Sequence, residues 1–592
     1  MALGKVGLNI AGESSERTVG RGQQTWTLGL LAVTVILGVM GGRTAYLQLH
    51  EGEKNRQLAE NNRIRLIAKP PERGRIFDRH GKILASSRLA HVINLWPIAQ
   101  KKSEWPNTIA KLAPKLGLSP NSIQAKLEQE GYNSPNLVRV SSALSPKLIT
   151  QISEHSREMP GVQVDPESVR VYPYGRTAAH LLGYTGAIDQ TELQNLQGKG
   201  YRLRDLIGKA GVEYGFESRL RGQWGGQQVE VDAAGKVIRI LGEKPPKPGS
   251  SLYLTIDIEL QKVAEKALGN YKGSIVALDP NNGEVLAMAS YPGFDPNLFS
   301  TKISEQAWSD LLTQDNPFLN RALRGFPPAS TFKIITLVAG IESGKFSLGE
   351  VLATYPYLDL GGILFWDHNR AGFGVIGFEE AIAYSSNTFF GQVGLRVGIN
   401  RLAQWARKFG FGAHTGIELV AEESKGLVPD PQWKEQNLQE PWYAGNTINT
   451  SIGQGFLQAT PLQVAVMGAA IANGGNLIKP HLWRDDLKAK TWRKPLGISP
   501  QTIKLAQNSL RAVFEYGTGQ SLNYASVAIA GKSGTAEDPP RENHAWFVGY
   551  APAEKPEIVV AVFMENAGGS GGQLAGPKVV EVIEAYMSRA KK

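Results

Sequence analysis

The chain has 592 residues, 42% of them hydrophobic and 20% charged, with no Cys and a formal net charge of +10. That length calls for several domains and that composition for folded ones, which excludes a disordered or collagen-like polymer. The missing Cys excludes disulfides, thiolate catalysis and Cys-ligated zinc and suits an oxidising compartment. The Lys and Arg residues are interspersed with acids and form none of the basic stripes that nucleic acid requires.

Residues 1–25 are polar and read as a flexible tail. From 22 to 42 there is no charged residue, and 26–40 (WTLGLLAVTVILGVM) is almost wholly apolar. With Trp26 and Tyr46 as interfacial anchors, residues 26–46 read as a transmembrane helix. A cleaved signal peptide is the rival reading, but Arg43-Thr44-Ala45-Tyr46 offers no small-residue cleavage site. Lys5, Arg17 and Arg21 before the span, against Arg43 after it, tilt the N-terminus towards the inside.

Residues 49–65 then look like a polar helix, and 73–85 like a hairpin turning at His80-Gly81. Helical patterns stopped by Gly fill much of 100–160. A second hairpin, 227–241, turns at Ala234-Gly235. The Pro/Gly-rich stretch 242–251 marks a junction between a pedestal (47–245) and a larger domain (250–592). Past it, 252–256 reads as a strand, 259–268 as a helix and 273–290 as strand–turn–strand around Asn281-Asn282-Gly283. Strands at 547–550 and 558–564 and a closing helix over 577–590 mirror this start, with the Gly-rich run 568–572 as the loop before the last helix. The predicted class is therefore α+β and multidomain, with one antiparallel sheet built from both ends of the larger domain and helices on its faces.

Three short strings carry the chemistry. Ser330-Thr331-Phe332-Lys333 places a hydroxyl and an amine one helical turn apart, after Pro327-Pro328 and before an apolar run. Burial there lowers the proton affinity of Lys333, which lets it activate Ser330, while the helix start offers N–H groups to an oxyanion. Ser385-Ser386-Asn387 lies in a run that otherwise reads as core. Ser385 is placed to pass a proton to a leaving amine, and the Asn387 amide to hold a substrate amide. Lys532-Ser533-Gly534-Thr535 reads as an edge strand. Lys532, Ser533 and Thr535 suit a carboxylate, Gly534 lets a substrate backbone approach, and the Thr535 and Ser330 N–H groups form an oxyanion pair. Each string alone is weak. S-x-x-K recurs at 588–591, and S-x-N recurs at 119–121, 134–136 and 521–523.

Taken in this order and at these spacings, the strings resemble the penicillin-binding proteins, whose S-x-x-K, S-x-N and K-[ST]-G elements they match. RGRIFDRHG (73–81), HLLGYTG (180–186) and GKAGVEYGFE (208–217) are similar to the pedestal of the class B, monofunctional members. NNRIRLI (61–67), EPWYAGNT (440–447) and SIGQGFLQATPLQ (451–463) are most similar to the penicillin-binding protein 2 branch, which serves elongation. The resemblance implies a serine D,D-transpeptidase acting on peptidoglycan stem peptides that end in D-Ala-D-Ala and acylated by β-lactams. It implies Ser330 as nucleophile, Lys333 as base, Ser385 and Asn387 beside them, and Lys532 with Ser533 and Thr535 on the terminal carboxylate. It also implies a SEDS-class membrane glycosyltransferase and a rod-shape scaffold protein as partners, and no cofactor. Some elongation relatives carry a metal with a Cys ligand near the site; without Cys, no such metal is expected here. A division-specific class B enzyme, a D,D-carboxypeptidase or β-lactamase, and a β-lactam sensor share the same strings.

Overall fold

The computed structural model describes residues 13–53, 56, 64–134, 137–141, 145–202, 205–231, 237–300, 303 and 305–590. They fall into two compact units, one of residues 1–71 and 223–247 and the other of 72–222 and 248–592.

The first unit opens with helix α1 (Glu13–Ala45), which continues as a π-helical turn over Tyr46–His50. The helix starts well inside the stretch expected to be a flexible tail, because an apolar segment that is already helical extends N-terminally at little further cost. Within it, Trp26–His50 has a mean hydropathy of 1.7 and is exposed all round. Among the described residues it is the one helix long and apolar enough to cross a membrane. The polar helix expected over 49–65 lies largely outside the described residues. Its last two residues, Ile64 and Arg65, instead begin the strand Ile64–Lys69, whose two β-branched Ile residues favour extended backbone. That strand pairs antiparallel with Gly225–Val231, which pairs with Val237–Lys244. The turn expected at Ala234-Gly235 lies outside the described residues.

The second unit begins with the expected hairpin, Ile76–Phe77 to Ile83–Leu95. The Asp78 carboxylate accepts from His80 N at 2.9 Å and Lys82 N at 2.8 Å, and Gly81 takes φ 83°, so an Asx-type turn closes it. The long strand Ile83–Leu95 pairs antiparallel with Val162–Val171 and with Val138–Ser141. Helices Trp105–Leu116 and Pro120–Glu130 end at Gly117 and Gly131, as their sequences predict, and bury Trp105, Leu112, Ile123 and Leu127 against Ile93 and Leu95. Deeper in this unit the fully buried Glu213 accepts from Arg73 Nε at 2.6 Å, Arg170 Nε at 2.7 Å and Tyr172 Oη at 3.3 Å. Burial alone would raise the Glu213 carboxyl, but Arg170 and Arg73 hold it below its ordinary value. The strand expected at 252–256 is only Leu252–Tyr253, parallel to Ile76–Phe77, because Thr255 N turns away to the Leu482 carbonyl at 2.8 Å.

The large sheet is antiparallel and joins both ends of the C-terminal half, as predicted. Its strands are β1 (Gly273–Leu278), β2 (Val285–Tyr291), β3 (Ala530–Asp538), β4 (Arg541–Ala551) and β5 (Ile558–Met564), in the order β2-β1-β5-β4-β3. Helices α2 (Ile258–Leu268) and α8 (Gly571–Ala590) pack together on it. Also against it lies α6 (Pro461–Ala472), buried at all of its positions, with α3 (Lys333–Glu342) and α7 (Pro500–Glu515) extending this core. Helix α8 starts six residues earlier than expected and takes in Gly571 and Gly572, the end of the predicted loop. A Cβ on Gly571 would lie 2.2 Å from the backbone oxygens of both Gly534 and Trp546, so only Gly lets the helix start seat on the sheet. Strand β3, which carries Lys532 to Thr535, is an edge of this sheet, leaving one side of its backbone for other partners.

Candidate active site

Ser330 sits in a 3-10 turn, Ala329–Phe332, that runs straight into α3 at Lys333. The turn is set by Ala329, whose φ of 51° is left-handed and whose N–H donates to the Gly453 carbonyl at 2.9 Å. The turn packs on β3: a Cβ at Gly534 would lie 3.2 Å from Ala329 Cβ and 3.3 Å from Thr331 Cγ2. The glycine of the third string thus makes room first for the protein's own Ser330 turn. Helix α3 is buried from Lys333 through Gly340, as its apolar sequence predicts.

The second string forms the link between α4 (Phe378–Ala383) and α5 (Asn387–Val397). Ser386 N donates to the Ala381 carbonyl at 3.0 Å and Ser385 N to the Ile382 carbonyl at 3.2 Å, the paired bonds of a Schellman stop. Ser385 holds the left-handed position of that stop, φ 61°, where Gly is favoured and an L side chain is strained. Ser386 then caps α5, its hydroxyl accepting from Phe389 N at 3.2 Å. A hydroxyl kept at a glycine position marks a residue retained for its side chain. Ser385→Gly is expected to leave the melting temperature unchanged or raise it, by up to about 1 kcal/mol of relieved strain. The same change should slow acylation by a D-Ala-D-Ala donor roughly 100-fold or more. Scanning fluorimetry run beside acylation kinetics checks both.

The Lys333 ammonium nitrogen is fully buried. It donates to the Ser385 carbonyl at 2.7 Å and to Asn387 Oδ1 at 2.7 Å, and lies 3.3 Å from Ser385 Oγ. Burial lowers its pKa to about 7, with Asp367 pulling the other way. A neutral amine has two N–H donors and one lone pair. The two carbonyl-type acceptors engage both donors, so the lone pair is left for a hydroxyl proton. Among the described residues, Ser330 Oγ has no hydrogen-bond partner and Lys333 does not bond it directly, so a proton moving between them needs a small side-chain adjustment or a relay through Ser385 Oγ.

Lys532 is placed otherwise than its string suggested. It is fully buried and not among the lining residues of the open cavity, donating to the Ser533 carbonyl at 3.0 Å and lying 3.5 Å from the Ser533 hydroxyl that does line it. Burial, and then repulsion from Lys333, push its amine well below its ordinary value. Ser533, Gly534 and Thr535 do line the cavity. Ser533 Oγ and Thr518 Oγ1 are 2.9 Å apart, and Thr535 Oγ1 accepts from Gly571 N at 3.2 Å, so α8 and the segment before β3 fix both hydroxyls. The Asn387 amide also differs from expectation. Its oxygen is on Lys333 and its nitrogen donates to the Trp366 carbonyl at 3.0 Å, leaving one N–H and one lone pair for a substrate.

Ser330, Ser385, Asn387, Ser533, Gly534 and Thr535 therefore border one cavity of about 560 Å³. The cavity has a wall that the three strings do not include, residues 366–370 (WDHNR). Asp367, 2% exposed, accepts five hydrogen bonds: from Ser386 Oγ (2.6 Å), Thr388 Oγ1 (2.5 Å), Thr388 N (3.3 Å), Asn387 N (2.9 Å) and His368 N (2.6 Å). It pins the start of α5, and with it Ser385 and Asn387, where a carboxylate also meets the positive end of a helix. His368, at the rim, is held below its ordinary value by desolvation and then by Lys333 and Lys532, against Asp367. The run of polar residues at 367–370 after the apolar strand Ile363–Trp366 was the available signal, but no fixed spacing links it to the other strings.

Residues 273–584 match the penicillin binding protein transpeptidase domain, and residues 68–254 match the penicillin-binding protein dimerisation domain. The chain is 35% identical to the peptidoglycan D,D-transpeptidase MrdA of Acinetobacter baumannii, over 98% of this chain and 89% of that one. In three dimensions it resembles PBP2 from the complex between PBP2 and MreC of Helicobacter pylori (TM-score 0.81, 28% identity, 88% of this chain and 99% of that one). It also resembles a chain of a peptidoglycan synthase complex that coordinates polymerization and crosslinking (TM-score 0.70, 32% identity, 95% and 98%). With both domain families matched in sequence and the fold matched along most of its length, the chain belongs to the class B, PBP2-type penicillin-binding protein transpeptidases.

Proposed function

We infer that this chain is a peptidoglycan D,D-transpeptidase of the elongation branch, joining stem peptides through an acyl-enzyme on Ser330. The observation that carries the reading is a buried Lys333 poised near neutrality, with both amine donors engaged and its lone pair open, beside a Ser330 hydroxyl free of internal bonds. Ser330 Oγ attacks the carbonyl of the penultimate D-Ala, and Lys333 takes the proton, directly or by way of Ser385. The N–H groups of Ser330 and Thr535 meet the oxyanion. Ser533 and Thr535 receive the terminal carboxylate. Lys532 supports that site through its bonds to Ser533. D-Ala leaves with a proton delivered by Ser385. The amine of a second stem peptide then resolves the ester, and β-lactams acylate Ser330 in the donor's place.

Residues 1–25 form the cytoplasmic tail, 26–46 the single-pass anchor, 47–245 the pedestal and 250–592 the transpeptidase domain, outside the plasma membrane. Relatives solved with MreC and within a synthase complex support a rod-shape scaffold protein and a SEDS-class glycosyltransferase as this chain's partners. Labelling the full-length protein with fluorescent penicillin tests the activity. A Ser330 adduct that persists for hours is expected, whereas turnover within seconds would mark a β-lactamase-like hydrolase. Side-wall rather than septal localisation of the labelled protein in growing cells tests the elongation role.

A further inference from the structure

A second cavity, of about 460 Å³, lies in the second unit and shares no lining residue with the active site. Its volume is that of a small-ligand cleft. His180 and Tyr184 line it from one part of the chain, and residues between 312 and 324 with Glu422 from another. The wall over 314–320 is pinned from behind. Buried Arg321, whose Nε donates to Glu565 at 2.6 Å, also donates to the Asp315 carbonyl at 3.2 Å and the Asn316 carbonyl at 3.4 Å. His180 Nε2 faces a carbonyl, so it carries its proton and donates to Pro317 O at 2.8 Å. That frame presents Phe318, 37% exposed, with its ring 5.1 Å from Phe294 and 6.0 Å from Trp308. Tyr184, 5.8 Å from Phe294, adds a further aromatic wall. Among the described residues no hydrogen bond engages the Tyr184 hydroxyl, the Gln314 amide or the Arg324 guanidinium, all of which line the cavity. Glu422 accepts from Gly211 N at 2.6 Å, and Arg324 offsets its charge, so the lining is neutral in sum.

Aromatic faces beside free hydroxyl, amide and guanidinium groups suit a ligand with an apolar face and a polar rim, and a pyranose ring has that shape. The neutral lining disfavours an ion as the ligand, and a peptide strand would want a sheet edge, whereas no lining residue lies in a strand. We propose that this cleft binds a neutral strand of N-acetylated hexosamines, gripping the glycan of the substrate apart from the stem peptide that enters the Ser330 site. A polymeric substrate extends beyond any cavity of this size, and a second foothold raises the local concentration of stem peptides at Ser330. The choice of N-acetylated sugars rests on the function proposed above, and the test keeps the two apart.

Full-length wild type, F318A and Q314A are titrated calorimetrically with the N-acetylglucosamine tetramer and, separately, with a free stem pentapeptide, before and after Ser330 is blocked with penicillin. Wild type is expected to bind the tetramer equally in both states. F318A should weaken that binding at least about 10-fold and Q314A about 3- to 10-fold, with the rate of penicillin labelling within about 2-fold of wild type as the check that both variants are folded. No binding of the tetramer, binding lost once Ser330 is blocked, or full affinity in F318A would each overturn the proposal. So would binding of the pentapeptide, in place of the tetramer, that F318A abolishes. Failure of wild type to form any penicilloyl adduct would instead overturn the functional reading, and tetramer binding can still be measured on that protein.

Discussion

Replacing Ser330 by Ala is expected to abolish labelling by fluorescent penicillin and to lower crosslinking about 10,000-fold or more, since nucleophile and base act as one unit. The melting temperature should barely move, because the side chain is only partly buried and makes no hydrogen bond within the described protein. Lys333→Met should lose activity to a similar degree with the fold intact, the methionine filling the same buried volume. The wild-type rate adds a test that a purely structural lysine would not pass. Burial sets the Lys333 amine to about 7, and only the neutral form can accept the Ser330 proton. Acylation should therefore be constant well above pH 7 and fall about tenfold per unit below it, with the acidic limb centred near 7. The sign follows from the direction of the shift: an amine at its ordinary value would place that limb some three units higher. A limb near pH 10, or a Ser330→Ala protein that still forms a stable penicilloyl adduct, would be incompatible with this assignment.

Asp367→Ala should be the most damaging change among residues that never touch a substrate. It strands donors from Ser386, Asn387, Thr388 and His368 in a place with little water to replace the carboxylate. Orphaned buried donors cost about 1–3 kcal/mol each, and since the two hydroxyls can turn elsewhere, a net loss of about 3 kcal/mol is expected. In a unit of this size that corresponds to a fall in melting temperature of about 5 °C. Activity should fall further than stability, because the start of α5 holds both Ser385 and Asn387 on Lys333. Asp367 also raises the proton affinity of Lys333, so its removal should move the acidic limb of the rate profile to lower pH in whatever protein remains folded. A limb that stays in place would reduce Asp367 to a packing role. Asp367→Asn should keep part of the fold, since an amide can still accept from two of the donors, yet shift the limb in the same direction.

The hairpin at 76–95, the helices ended by Gly117 and Gly131, and the antiparallel sheet with β3 at its edge were legible in local patterns. Each rests on residues adjacent in the chain or on a period of two or 3.6. The start of α8 was not, because Gly571 and Gly572 look like a loop until β3 and β4 lie against them. Gly534 was legible as a position needing no side chain, but the neighbour that demands this is the protein's own turn at Ala329 and Thr331, brought there from some 200 residues away in the chain.

By itself the sequence determined which candidate groups lie side by side within each string. Ser330 and Lys333 share one turn, Ser385 and Asn387 one helix stop, and Ser533 to Thr535 one edge strand, and such spacings fix relative geometry within each piece before any folding occurs. Only the tertiary structure decided how charge is distributed among the pieces. Desolvation and charge–charge repulsion depend on what surrounds a group, so it took the packing of the Ser330 turn and α7 against β3 to make Lys532 a buried neighbour of Lys333 rather than an exposed cation. The bonds of Asp367 to the start of α5 hold residues 366–370 as the fourth wall, with Asp367 spent internally and Arg370 left facing solvent.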